Sequence, residues 1–115
     1  MSASETVVFE TLADPTRRRL IEVMHDGERS VSELVERVDI EQPGVSRHLR
    51  ILNDAGFVNV RADGRRRMYS LRPEPFEELA EWMRRYAHEE VDRVERLATF
   101  VEESHDREDD RENDQ

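Results

Sequence analysis

The chain has 115 residues, enough for one domain, and its 36% hydrophobic and 40% charged residues imply a core that is small or completed by a partner. It has no cysteine, which excludes disulfides and thiolate metal sites. No apolar run approaches the ~18 residues of a membrane span and no signal-peptide pattern opens the sequence, so a cytoplasmic protein with no membrane partner is expected.

Met1 to Ser4 reads as a loose start, followed by a short apolar helix carrying Val7, Val8, Phe9 and Leu12 and ending near Ala13. Asp14-Pro15-Thr16 is a helix start, with Asp14 as N-cap and Pro15 in the first turn, where its missing N–H had no partner anyway. Leu20, Ile21 and Met24 continue that helix and Asp26-Gly27 closes it. Arg17, Arg18 and Arg19 in its first half read as a solvated face that pairs with nearby acids. Ser30 or Ser32 caps the next helix, with Glu33 early in its first turn. There Val31, Leu34, Val35 and Val38 fall at i, i+3, i+4 and i+7, a single packing stripe. The link Asp39 to Gln42 has the length found inside a helix-turn-helix.

The following stretch carries the strongest pattern. On a helix from about Pro43 to Ala55, Val45, Leu49, Leu52 and Ala55 share one arc, and Ser46, Arg47, Arg50 and Asn53 share the opposite one. Gly56 sits where a left-handed residue stops a helix. Val58–Val60 and Met68–Leu71 read as strands, joined by a tight turn at Asp63-Gly64 and followed at once by Arg65, Arg66 and Arg67. The expected fold is mainly α with a small β-hairpin, a winged helix-turn-helix of order α-α-α-α-β-β-α. Its partner would be double-stranded DNA, with the helix in the major groove and the basic wing along the backbone or minor groove. The candidate contacts are Gln42, Gly44, Ser46, Arg47, His48 and Arg50 on the helix and Arg65, Arg66 and Arg67 on the wing. His48 is ambiguous, because its helical angle places it beside Leu52 on the packing arc.

Arg72-Pro-Glu-Pro75 breaks the strand and starts a long helix, about 74–103, in which Phe76, Leu79, Met83, Tyr86, Val91, Val94, Leu97 and Val101 recur every three to five residues. A stripe that long exceeds what so small a core can cover, so it is expected to pair with its twin in a homodimer. Phe9, Leu79, Met83, Tyr86, Val94 and Leu97 are the candidate dimerisation residues, and Trp82 reads as a packing anchor. The domain then spans 1–104, and the wholly polar stretch 105–115 is expected to be a disordered acidic tail.

The net charge of −10 hides a reversal of sign: residues 42–72 hold seven arginines and two acids, a local +5, while every other segment is negative. A phosphate backbone would feel that patch rather than the whole-chain charge. All 18 basic residues are arginine. A G+C-rich genome and a high-salt cytoplasm are both compatible with that choice.

Three collinear stretches resemble the ArsR-type winged-helix repressors: Leu12 to Ile21, Val45 to Leu52 with Ala55-Gly56, and Gly64 to Leu71. The resemblance implies a homodimeric repressor of a palindromic operator, often its own promoter, released by an inducer. Many such proteins sense metals, and here the pattern departs. Val35 and Arg37 stand where one family site has cysteines, and Pro73, Pro75, Tyr86 and Glu89 stand in the register of another. His88 with Asp92, and His105 with Glu108, do not make up the loss, so no metal or cofactor is expected and the inducer stays unknown. No nucleophile–base pair or phosphate loop suggests an enzyme. Two rivals are an antitoxin-like DNA-binding protein without an inducer and an acidic protein-interaction module that no longer binds DNA; the +5 segment speaks against the latter.

Overall fold

The computed structural model describes the backbone of residues 2–113 and the side chains of residues 2–87 and 92–103. In chain order the elements are α1 (Ala3–Leu12), α2 (Pro15–Met24), β1 (Arg29–Ser30), α3 (Val31–Val38), α4 (Gln42–Asp54), β2 (Val58–Asp63), β3 (Arg66–Leu71) and α5 (Glu74–Asn113). They fall into two units, one ending at Ala80 and the other beginning at Glu81.

Local chemistry sets most of the boundaries. Asp14 caps α2 by accepting from the Thr16 and Arg17 amides at 2.8 and 3.1 Å, with Pro15 in the first turn. Ser30, rather than Ser32, caps α3 in a reciprocal box. The Glu33 amide donates to Ser30 Oγ at 3.3 Å and the Ser30 amide donates to Glu33 Oε1 at 3.2 Å. Asp39 ends α3 at a φ of 52° and Gly56 follows α4 at a φ of 78°, so both helices stop on left-handed residues. The loose start expected for residues 1–4 is corrected: α1 already begins at Ala3, because Ser2 Oγ accepts from the Glu5 amide.

The sheet is larger than a hairpin. Both wing strands extend further toward the tip than their β-branched content suggests, and the two-residue β1 adds a third strand in the order β1-β3-β2, all antiparallel. Asp63 pairs with Arg66, so the turn is centred on Gly64-Arg65 rather than on Asp63-Gly64. Gly64 supplies the positive φ that its first position needs, at 61°. The backbone of α5 continues through residues 105–113, the stretch expected to be disordered; residues 114–115 lie outside the described ones.

One core holds the first unit together. Leu20, Val23 and Met24 of α2, Leu34 of α3, and Val45, Leu49 and Leu52 of α4 pack with Val8, Phe57 and Val58. Phe57 is its hinge. Its amide donates to the Leu52 carbonyl at 2.9 Å, its carbonyl accepts from the Arg72 amide at 2.8 Å, and its ring meets Phe76 edge to face at 5.5 Å. Leu79 also packs against this core.

Phe57 is 0% exposed, and truncating such a phenylalanine costs about 3–5 kcal/mol. Phe57→Ala is therefore expected to lose stability of that order in chemical denaturation at fixed protein concentration, whereas Asn59→Ala, exposed on the neighbouring strand, should change it by less than ~0.5 kcal/mol.

Candidate nucleic-acid interface

The two sides of α4 have opposite environments. Val45, Leu49 and Leu52 are buried, and Gln42, Ser46, Arg47, Arg50 and Asn53 are exposed. Pinning the apolar side fixes which way the polar side faces.

Two of the helix candidates are not on that outer surface. His48 is only 8% exposed on the packing arc, and its Nδ1 is buried without a hydrogen-bond partner, unlike the bonded histidine that burial alone suggests. Desolvation pushes the Asp14 pKa up, but the Arg17 and Thr16 amides, with His48 and Arg17, outweigh it and hold the carboxyl below its ordinary range. Gly44 is half-buried and packs against Ile40; a Cβ there would come within 2.9 Å of Ile40 Cγ2. Its amide already donates to the Glu41 carbonyl at 3.0 Å. Gly44 thus serves the close turn between α3 and α4.

The wing's register sorts its arginines by face. Arg67 opposes Ala62, and Tyr69 opposes Val60. Directly opposed residues share a face, and Arg67, Tyr69 and Val60 look toward α4, where they line a cleft with Ser46, Arg50 and Asn53. Arg66, opposite Asp63, and Arg61, opposite Met68, lie on the other face.

Ion pairing sorts them again. Arg61 grips Glu28 with two hydrogen bonds, at 2.6 and 3.1 Å, tying β2 to the turn before β1. Those hydrogen bonds lower the Glu28 pKa and raise that of Arg61. Arg66 pairs with Asp63 at 2.9 Å and Arg72 with Glu74 at 3.4 Å. Arg47, Arg50, Arg65 and Arg67 make no ion pair or hydrogen bond among the described residues. Of the seven arginines in the positive segment, three are neutralised locally and four face solvent with their charge intact.

Sequence reasoning missed Tyr69 as a lining residue and the Glu28–Arg61 pair. Strand alternation with Arg67 signals the former; the latter joins residues 33 apart and leaves no local signal. Among the proposed dimerisation residues, Met83, Tyr86, Val94 and Leu97 are 50–65% exposed, with Phe100 and Val101 similar. Phe9 and Leu79 are half-buried instead, Leu79 in its own chain's core. Trp82 packs against Tyr86 with ring centroids 5.0 Å apart. Among the described residues no three His, Asp or Glu side chains converge as a cation would require; the His88 and His105 side chains lie outside them. No helix among them is long and apolar enough to cross a membrane.

The profile of the bacterial regulatory protein arsR family matches residues 14–60. A probable mercury resistance operon repressor of Streptomyces lividans is 48% identical over 63 residues, 55% of this chain and 50% of that protein. The transcriptional repressor SdpR of Bacillus subtilis is 30% identical over 76 residues, 66% of this chain and 84% of that one. A crystal structure of a possible transcriptional regulator for arsenical resistance superposes with a TM-score of 0.65 at 37% identity, covering 76% of this chain and 91% of the other. The match thus spans only half the length of the Streptomyces protein.

The pairing pattern makes a prediction that position alone does not. Arg65→Ala is expected to reduce the salt slope of DNA binding by ~1. Arg66→Ala should change it less, because Asp63 already neutralises that guanidinium. In an Asp63→Asn background the two should become equivalent, as read by fluorescence anisotropy from low to moderate salt.

Proposed function

The chain belongs to the ArsR family of bacterial regulatory proteins, and from that premise we propose that it is a sequence-specific, DNA-binding transcriptional repressor acting as a homodimer on a palindromic operator. The family consists of regulators rather than enzymes. The observation that carries the reading is the set of four unpaired arginines on α4 and the wing, within the one positive segment of a chain whose net charge is −10.

The division of labour follows from placement. Ser46 and Arg47 lie on the exposed side of α4, within reach of base edges once that helix enters a major groove. A guanidinium can donate twice to guanine O6 and N7, which fixes both base and strand. Arg65, at the wing turn, supplies a charge for phosphates or the minor groove. Gln42 stands at the start of α4 as a further polar contact.

Dimerisation supplies the second half of the operator. The α5 stripe from Met83 to Val101 leaves six large apolar side chains 50–66% exposed, a surface that marks a protein interface. A second copy of the chain covers it, and its dyad relates two α4 helices as a palindrome relates two half-sites. The domain so assembled reaches about residue 104, and the acidic stretch after it keeps the protein soluble. Mercury and arsenical resistance belong to the names of relatives. These 115 residues contain no cysteine to hold either element as a thiolate, so neither is proposed as a ligand of these residues. The protein acts in the cytoplasm, where its DNA is.

Two experiments test this reading. Arg47→Ala is expected to cost about 1–3 kcal/mol on operator DNA and much less on scrambled DNA, so the specificity ratio falls; an unchanged ratio would remove Arg47 from base reading. Val94→Glu and Leu97→Glu should shift the protein from dimer to monomer in sedimentation at micromolar concentration. Leu79 is unsuited to this test, because its loss would damage the core of the chain itself.

A further inference from the structure

The cleft between α4 and the wing differs in charge from its counterparts. Each of four other clefts among the described residues is lined by at least one carboxylate, as expected for a chain with 28 acids. This one, of about 440 Å³, has none. Its walls hold Arg50 on one side and Arg67 on the other, both without an acid partner, and its hydrogen-bonding groups are Ser46, Asn53 and Tyr69. The rest of the lining is apolar: Val31, Leu49 and Val60.

We propose that this cleft holds a single backbone phosphodiester, gripped by Arg50 from the helix and Arg67 from the wing. The inference rests on the DNA-binding reading and deepens it. Two guanidiniums lining one cleft with no carboxylate in its lining repel each other, and an anion placed between them reverses that repulsion. Hydrogen bonds from ionised donors to a phosphate are the stronger kind. The hydroxyl, amide and phenol can complete the phosphate's shell, and the apolar lining suits the adjoining sugar. A phosphate carries no base identity, so the clamp sets the register of α4 on the duplex and couples helix to wing without reading sequence.

The arithmetic of counterion release distinguishes one shared phosphate from two separate contacts. The logarithmic salt slope changes by ~0.9 for each phosphate neutralised. If Arg50 and Arg67 grip the same phosphate, Arg50→Ala and Arg67→Ala should each weaken operator and scrambled DNA by the same factor. The double variant should lose ~0.9 in slope, not the ~1.8 of two independent contacts. Both arginines are exposed, so the variants should keep the wild-type thermal midpoint. A slope loss near 1.8, or a loss confined to operator DNA, would overturn the clamp while leaving the regulator reading intact. Failure of the wild type to bind any duplex would instead overturn the regulator reading on which it rests. Inorganic phosphate titrated at constant ionic strength supplies the last arm. It should not release the operator beyond an equal charge of sulfate; selective release would make the cleft a site for a free anion and refute its assignment to the DNA backbone.

Discussion

The burial of Val45, Leu49 and Leu52 along one side of α4 is the constraint on which everything else depends. A 13-residue helix on its own is marginal in water and would present no defined face. Packed against Leu20, Leu34 and Phe57, it has one orientation only. Ser46, Arg47 and Arg50 then project outward together, and the polar arc becomes a fixed array. The short turn at Ile40 and Gly44, the left-handed stops at Asp39 and Gly56, and the bonds of Phe57 to Leu52 and Arg72 all preserve that placement.

The second constraint is the allocation of charge. In a chain with 28 acids and 18 arginines, carboxylates are available to neutralise guanidiniums, and a paired arginine has little field left for a ligand. Arg61 and Arg66 are spent on Glu28 and Asp63 and serve to hold the wing in shape. Arg47, Arg50, Arg65 and Arg67 form no such pair among the described residues and keep their charge. Positive potential therefore gathers where α4 and the wing converge, and the surrounding acidity confines it there.

Much of this was legible in the sequence wherever the signal is local. Asp14-Pro15, Ser30 with Glu33, Gly56 and the apolar spacing of α4 each act within a few residues, so the elements and their order follow from them. The angle of His48 beside Leu52 pointed to burial; its orphaned Nδ1 was not legible, because hydrogen-bond partners are set by tertiary packing. The strand β1 is two residues long, too short to carry any alternation. Arg65, Arg66 and Arg67 are indistinguishable in composition, and only the pairing of Asp63 with Arg66 shows which of them is neutralised. Leu79 and Met83 belong to one periodic stripe, yet the first packs on its own chain's core while the second is half exposed. Periodicity marks a face without saying what covers it.

The central claim is that α4 enters a major groove and that two copies do so on one face of the duplex. A hydroxyl-radical footprint on DNA upstream of the protein's own gene tests it most directly. The account predicts two protected patches related by a dyad, with centres about one helical turn or a multiple of it apart, at ~10–10.5 base pairs per turn. A single patch without symmetry, or uniform weak protection along the whole fragment, would contradict it.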